Sequence, residues 1–454
     1  MKNYILSSKY RNIHFVGAGG VSMSALMKHC IKLGKTVTGS DVCHNNYTDE
    51  LIELGAKITF KHASSNIKRA DAVVFSSAIN EKNPELIAAK RKKIPIVKRS
   101  ELLGEISERF LKTVAISGSH GKTTATAMIA NVMKTANKEP TVFLGGESLE
   151  YGNYLSGEDD LCIIEACEYK KNFLDVIPDV SVVLNIDNDH MDAYKDMRDM
   201  VDTFRLFVGN SLAVINADDV NARNIFNSST VTFGINTPAT YTAKNIKPNG
   251  IGYSFTACAH GRAVGKINLS IAGRHNVYNA LATFAVADVL RVPFCLIKQG
   301  LESYKGVKRR NEYLGKWKGL NFYADYAHHP RELSCTLQTF LEQGEDFVTV
   351  FQPHTYSRTI NLMDSFVSVF KDIKPLVIYK TYSAREGFDE KGSAKTLCGY
   401  ILGASGENCI YADTEEELIR VLDEYREKYK KVVFFGAGDI YDLAKSLMQK
   451  EKSE

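Results

Sequence analysis

Thr113-Val-Ala-Ile-Ser-Gly-Ser-His-Gly-Lys-Thr-Thr124 decides how this sequence is read. A short β-branched and apolar run leads into a glycine loop, and apolar residues then recur at helical spacing to about residue 136. Such a loop between strand and helix turns backbone N–H groups toward phosphates, and Lys122 neutralises their charge. Thr123 offers a hydroxyl to Mg²⁺. Gly118, Ser119, His120, Gly121, Lys122, Thr123 and Thr124 are therefore candidate phosphate-binding residues. The spacing departs from the common phosphate-loop pattern, because Ile116 stands where that pattern has a glycine.

The same alternation extends to both sides. Upstream, residues 12–16 read as a strand ending at Gly17, and 21–33 as a helix stopped by Gly34. Short runs at 36–38 and 72–75 complete a first doubly wound unit. Downstream, strands are expected at 161–164, 181–185, 212–215 and 267–271, with a helix over 276–290. A third restart follows Gly306, with strands at 322–325, 347–351, 376–379 and 432–435. The fold class is α/β with three domains, expected at 1–108, 109–304 and 305–454.

Composition bounds the function. The 454 residues, 44% hydrophobic and 24% charged, are ordinary for a folded protein and sufficient for about three domains of roughly 150 residues. A net charge of +4 gives no general field toward nucleic acid or an anionic membrane. Nine scattered cysteines without a CxxC pair fit neither a disulfide framework nor a zinc module, which points to a reducing, cytoplasmic setting. Residues 1–10 lack the apolar core of a signal peptide, and no run of about 18 apolar residues occurs, so neither export nor membrane insertion is expected.

Acidic clusters stand where a phosphate site needs a metal. Glu165-Ala-Cys-Glu168 closes one expected strand, and Asn185-Ile-Asp-Asn-Asp-His190 closes another. Either carboxylate of the first cluster is suited to Mg²⁺, and the second adds an imidazole and two more acids. The first glycine run, Gly17-Ala-Gly19-Gly20-Val-Ser22, has Ser22 in place of a third glycine. With Ser40 and Asp41 about 20 residues on, and Ser76 and Ser77 beyond, it fits a nucleotide ribose or diphosphate, or else a tight turn of structural use only. Late in the chain, Lys308-Arg309-Arg310, Asp325-Tyr-Ala-His328-His329-Pro330, Phe351-Gln-Pro-His354 and Arg358 supply guanidinium forks and imidazoles. The paired histidines before Pro330 are read as hydrogen-bonding residues in preference to zinc ligands.

Taken in order, these motifs, together with Gly273-Arg-His275-Asn-Val-Tyr-Asn279 and Gly436-Ala-Gly-Asp439, resemble the Mur ligases over almost the whole chain. The His-His-Pro and Phe-Gln-Pro-His elements look like the L-alanine-adding branch in particular. The resemblance implies an N-terminal Rossmann-like UDP-binding domain, a central P-loop ATPase domain and a C-terminal Rossmann-like domain. It implies an ATP- and Mg²⁺-dependent ligase of peptidoglycan synthesis, with UDP-N-acetylmuramate and L-alanine as substrates and an acyl phosphate as intermediate. Lys122, Glu168 and His190 would be catalytic, with Thr123 and Glu168 on one Mg²⁺ and His190 on a second. His275, Asn279, Arg310 and Asp325 would touch ATP, and His328 and Arg358 would orient alanine. Gly17, Gly19, Gly20, Ser40, Asp41, Ser76 and Ser77 would serve the sugar nucleotide.

Ser22, Asn311, Ala324 and Thr355 depart from the family's usual residues and leave the acceptor open to a preformed muropeptide. A dinucleotide-dependent oxidoreductase is the reading from another class, and Lys122-Thr123 with downstream acids opposes it, because redox chemistry has no use for a γ-phosphate clamp. Monomer and homodimer both remain open.

Overall fold

Each of the three expected restarts opens a separate sheet. The computed structural model describes residues 4–158, 160–188, 193–342, 344, 346–384, 386–406 and 409–451. The first sheet has five parallel strands in the order Lys57–Thr59, Thr36–Ser40, Asn12–Val16, Ala72–Phe75, Ile96–Lys98. The chain moves outward first to one side of Asn12–Val16 and then to the other. That reversal opens a crevice at the carboxyl end of Asn12–Val16, where Gly17 begins.

The second sheet has ten strands. Lys112–Ser117 is flanked by Val180–Val183 on one side and Leu161–Glu165 on the other, all parallel, so the phosphate loop also leaves its sheet at a reversal point. Its far edge is an antiparallel hairpin of Gly252–Ala259 and Arg262–Asn268. Here the expectation of a strand over 267–271 is corrected, since the strand begins earlier and ends at Asn268. The turn carries His260 at φ 49° and Gly261 at φ 78°, a pair of left-handed residues whose twist suits a two-residue hairpin. The third sheet runs Glu312–Trp317, Leu320–Asp325, Lys431–Phe435, Phe347–Phe351, Leu376–Tyr379, Cys409–Ala412, parallel except for its first strand.

The chain divides into two compact units: Met1–Lys247, Ser254–Ser270 and Asn276–Lys305 form one, and Pro248–Tyr253, Ile271–His275 and Gly306–Glu454 the other. In the first unit the two sheets share one continuous apolar core, in which Phe15, Met27 and Leu102 join Phe143 and Ile164. Asn153 ties the joint by donating to the Val21 carbonyl at 2.6 Å and to Ser24 Oγ at 2.7 Å. In the second unit, apolar residues pack on both faces of the third sheet, Phe351 and Phe370 on one and Phe322 and Phe434 on the other. Strands buried on both faces read as unbroken apolar runs, which is why Phe-Val-Thr-Val-Phe over Phe347–Phe351 was legible as a strand.

Candidate active site

The phosphate loop is shaped by two glycines and one asparagine. Gly118 has φ 140° and Gly121 φ 84°, backbone that side chains rarely adopt. A Cβ on Gly121 would also lie 2.9 Å from Asn279 Oδ1, so Asn279 of the helix His275–Val289 packs directly under the loop. Asn185 clamps the loop from the neighbouring strand end, accepting from the His120 N–H at 2.8 Å and donating to the His120 carbonyl at 3.1 Å. The His120 ring reaches Asp187 at 3.2 Å, and Ser119 Oγ accepts from the Asp187 N–H at 2.9 Å. The helix Lys122–Thr135 then begins, with its N-terminal N–H groups facing the loop.

Lys122 Nζ bonds the Gly118 carbonyl at 2.5 Å, the Ser119 carbonyl at 3.1 Å and Glu168 Oε1 at 3.0 Å. Burial pulls the Lys122 pKa down, but Glu168, Cys167 and Glu165 outweigh it and the net shift is upward, so the ammonium stays charged. Glu168 is itself fully buried. Its carbonyl accepts from Tyr194 Oη at 2.5 Å, which anchors the segment after the strand Leu161–Glu165.

Thr123 Oγ1 donates to Glu165 Oε1 at 2.8 Å, and Glu165 Oε2 accepts from the Gly145 N–H at 2.6 Å. One hydroxyl and two carboxylates, all hard oxygen donors, thus border the loop, a set suited to Mg²⁺. Among the described residues no three His, Cys, Asp or Glu side chains form a metal-holding group. His190 lies outside the described residues.

At the crevice of the first sheet, the N–H groups of Gly17 and Ala18 donate to the Ser40 carbonyl at 2.8 and 3.0 Å, and Gly20 leads into the helix Val21–Lys32. Asp41 accepts from the Gly19 N–H at 2.8 Å and from Val42 and Cys43, which fixes the turn. Ser40 Oγ points inward, donating to buried Glu85 at 2.6 Å and meeting His62 at 3.0 Å. Ser76 Oγ accepts from the Ala78 N–H at 3.3 Å, and Ser77 is exposed. Asn45, His62 and Glu85 complete this edge, and sequence reading missed all three. Asn83-Pro-Glu85 reads as nothing more than a helix start, and only the fold brings Glu85 to Ser40.

In the second unit, the carboxyl ends of Leu320–Asp325 and Phe347–Phe351 gather Tyr326, His328, His354 and Arg358. The Tyr326 and His328 rings lie 5.3 Å apart, those of His328 and His354 5.7 Å, and Arg358 Nη1 is 3.1 Å from His354 Nδ1. Burial, then the charge of Arg358 and the neighbouring His328, lowers the His354 pKa to about 4. Burial likewise lowers that of His328, whose ring meets the Tyr326 carbonyl at 2.9 Å. Asp325 accepts from the N–H groups of Asn311 and Ala327, both at 2.8 Å. Its burial raises the carboxyl to about 6 against the opposing pull of Arg310, which also lies over the Tyr326 ring. His329 caps the helix Pro330–Leu341, a hydrogen-bonding role as expected. His275 is exposed at the start of its helix.

One of the departures has a local cause. Asn311 sits at φ 47°, a conformation asparagine tolerates better than most residues. Thr355, at φ 65°, precedes the helix Tyr356–Asn361 and donates its N–H to the Tyr382 carbonyl at 2.8 Å.

With this geometry in hand, comparison with known proteins is decisive. Residues 12–111 match the Mur ligase family catalytic domain, 116–287 the Mur ligase middle domain and 309–438 the Mur ligase glutamate ligase domain. A UDP-N-acetylmuramate–L-alanine ligase of Acetivibrio thermocellus is 38% identical over 453 residues, covering 97% of this chain and 96% of that one. The chain belongs to the Mur ligase family. A second relative of the same description, from Aquifex aeolicus, is 37% identical and covers 96% of this Mur ligase and 97% of its own length. The crystal structure of UDP-N-acetylmuramate-alanine ligase from Thermotoga maritima superposes with a TM-score of 0.85 at 30% identity, covering 97% and 99% of the two chains. A murein peptide ligase of Psychrobacter arcticus, 20% identical with a TM-score of 0.68, shares the fold.

Proposed function

We propose that this Mur ligase uses ATP to join L-alanine to the lactyl carboxylate of UDP-N-acetylmuramate, with release of ADP and phosphate. The observation that carries this reading is the phosphate loop whose Lys122 meets the buried Glu168 across the strand edge. Identity of 36–38% over nearly the whole chain to proteins named for that reaction supports it. Residues 1–108 would hold the UDP moiety, 109–304 ATP, and 305–454 the amino acid. No helix among the described residues is long and apolar enough to cross a membrane, and all nine cysteines are free, which suits a cytoplasmic enzyme.

A carboxylate is a poor electrophile, and two anions must meet before it is activated. The Gly118–Gly121 backbone and Lys122 would hold the β- and γ-phosphates, leaving the γ-phosphorus open to the lactyl oxygen. Attack forms the carboxyl–phosphate bond and breaks the bond to ADP. The alanine amine then attacks the acyl carbon, phosphate departs and the amine loses its proton. Thr123 and Glu168, with Glu165 beside them and His190 for a second ion, would hold Mg²⁺, which shields the phosphoryl charge. Neutral His328 and His354 beside Arg358 would leave the guanidinium to take the alanine carboxylate.

The test is phosphate release from ATP and Mg²⁺ with UDP-N-acetylmuramate, comparing L-alanine, glycine, serine and a cell-wall tripeptide as acceptors. Release that depends on L-alanine is expected; dependence on the tripeptide alone would make the protein a peptide ligase instead.

A further inference from the structure

Within the first unit, a small, water-sized pocket is lined by Ser22 and Leu26 of one helix, Arg99 of another, and Phe143, Leu144 and Glu165 on strands of the second sheet. Its polar corners belong to three different elements. Ser22 stands in the first turn of the helix that follows Gly17–Gly20, Arg99 opens the helix Arg99–Ser107, and Glu165 accepts the Thr123 hydroxyl. Through Ser22 the pocket adjoins the helix that follows the glycine turn of the first sheet, and through Glu165 the residue that accepts the Thr123 hydroxyl.

Arg99 is half-buried, and among the described residues its guanidinium has no hydrogen-bond or ion-pair partner. Cys167, Glu165 and Asp175 are near enough to favour its charge, yet none is within ion-pair distance among the described residues, and Glu165 has both oxygens engaged, by Thr123 and Gly145. A desolvated cation with five donors and no acceptor is costly unless something anionic completes it. Carboxylates and phosphates match its fork bidentately.

We infer that Arg99 binds the lactyl carboxylate of the sugar nucleotide and presents it to the γ-phosphate at the loop. The inference rests on the ligase reading above. A substrate with its diphosphate at the Gly17–Gly20 turn and its reacting carboxylate at the phosphate loop has to bring that carboxylate to the side of Glu165 that Arg99 borders. There an isolated anion would be repelled by that acid. Arg99 cancels the repulsion and fixes which oxygen faces phosphorus.

Equilibrium binding of UDP-N-acetylmuramate and of UDP-N-acetylglucosamine, which lacks the lactyl carboxylate, tests this on the native chain and on Arg99→Gln and Arg99→Lys. The Gln variant should bind UDP-N-acetylmuramate about 10- to 100-fold more weakly, with UDP-N-acetylglucosamine unchanged and Lys intermediate. Equal loss for both ligands, or no loss for either, overturns the inference, the first by assigning Arg99 to the diphosphate or to folding. Failure of the native chain to prefer UDP-N-acetylmuramate would instead count against the ligase reading. Thermal melting of each variant separates unfolding from lost recognition.

Discussion

Around Lys122, opposite charges touch; around His354, like charges are kept from forming. The phosphate loop faces carboxylates whose ion pairs and hydrogen bonds hold the site together, with Lys122 on Glu168 and Thr123 on Glu165. The cluster in the second unit packs two imidazoles near Arg358, and burial keeps both neutral. The first arrangement is self-satisfied and must exchange partners when phosphates arrive. The second leaves a guanidinium open to an incoming carboxylate. A loop that already holds its charges suits a highly charged substrate, and a cluster held neutral suits a small zwitterion.

The contrast is broken most severely at Lys122. Lys122→Ala should cut ATP-dependent turnover by at least about 10³-fold, the scale of losing a preorganised charge at the transition state. It should also destabilise the chain by about 3–5 kcal/mol, since buried Glu168 loses its counter-ion. Adding Glu168→Gln should restore much of that stability and none of the turnover. Steady-state kinetics with urea titration reads both, and retained turnover in Lys122→Ala would remove it from the phosphate clamp.

Next in size, Arg358→Lys should raise KM for L-alanine about 10-fold or more with KM for ATP unchanged, because a lysine cannot form the bidentate pair. A rise in both constants would show a folding defect. Gly121→Ala should cost about 1 kcal/mol or more from its φ of 84° alone, with further loss from the 2.9 Å approach to Asn279. ATP affinity should fall with it.

The smallest effect is on pH dependence. His354 has its pKa lowered from 6.5 to about 4, so its contribution to stability is present above 6.5 and is lost as pH falls through 4. Asp325, raised from 3.8 to about 6, contributes in the opposite sense: fully below 3.8, and lost as pH rises through 6. His354→Gln should therefore flatten the loss of stability toward low pH, and Asp325→Asn should steepen it. Denaturant titrations across that window give both slopes, and parallel curves would contradict the assigned shifts.

The contrast also separates what sequence alone could yield. The phosphate loop was legible because strand, glycines, lysine and threonine lie within twelve residues, and local chemistry fixes both fold and role. The acids at Glu165 and Glu168 were legible as strand ends. Which of them meets Thr123 was not, since that depends on how the segment after Glu165 turns, and it is Glu165 that accepts the hydroxyl. The cluster of His328, His354 and Arg358 unites two strand ends that are neighbours only through the intervening strand Lys431–Phe435; the sequence offered all three as imidazole and guanidinium candidates, and their meeting depends on that sheet order. Arg99 and Glu85 carried no local signal, because a charged residue at the head of a helix reads as a solvated one. The hairpin of the second sheet was hidden in a polar, weakly alternating segment.

The most direct test of phosphoryl transfer to the sugar nucleotide follows oxygen. UDP-N-acetylmuramate carrying ¹⁸O in its lactyl carboxylate, incubated with ATP, Mg²⁺ and L-alanine, should deliver one labelled oxygen to each phosphate released. Phosphate without label, drawing its oxygen from water, would mean that no acyl phosphate forms and that Lys122 and its loop serve hydrolysis rather than ligation.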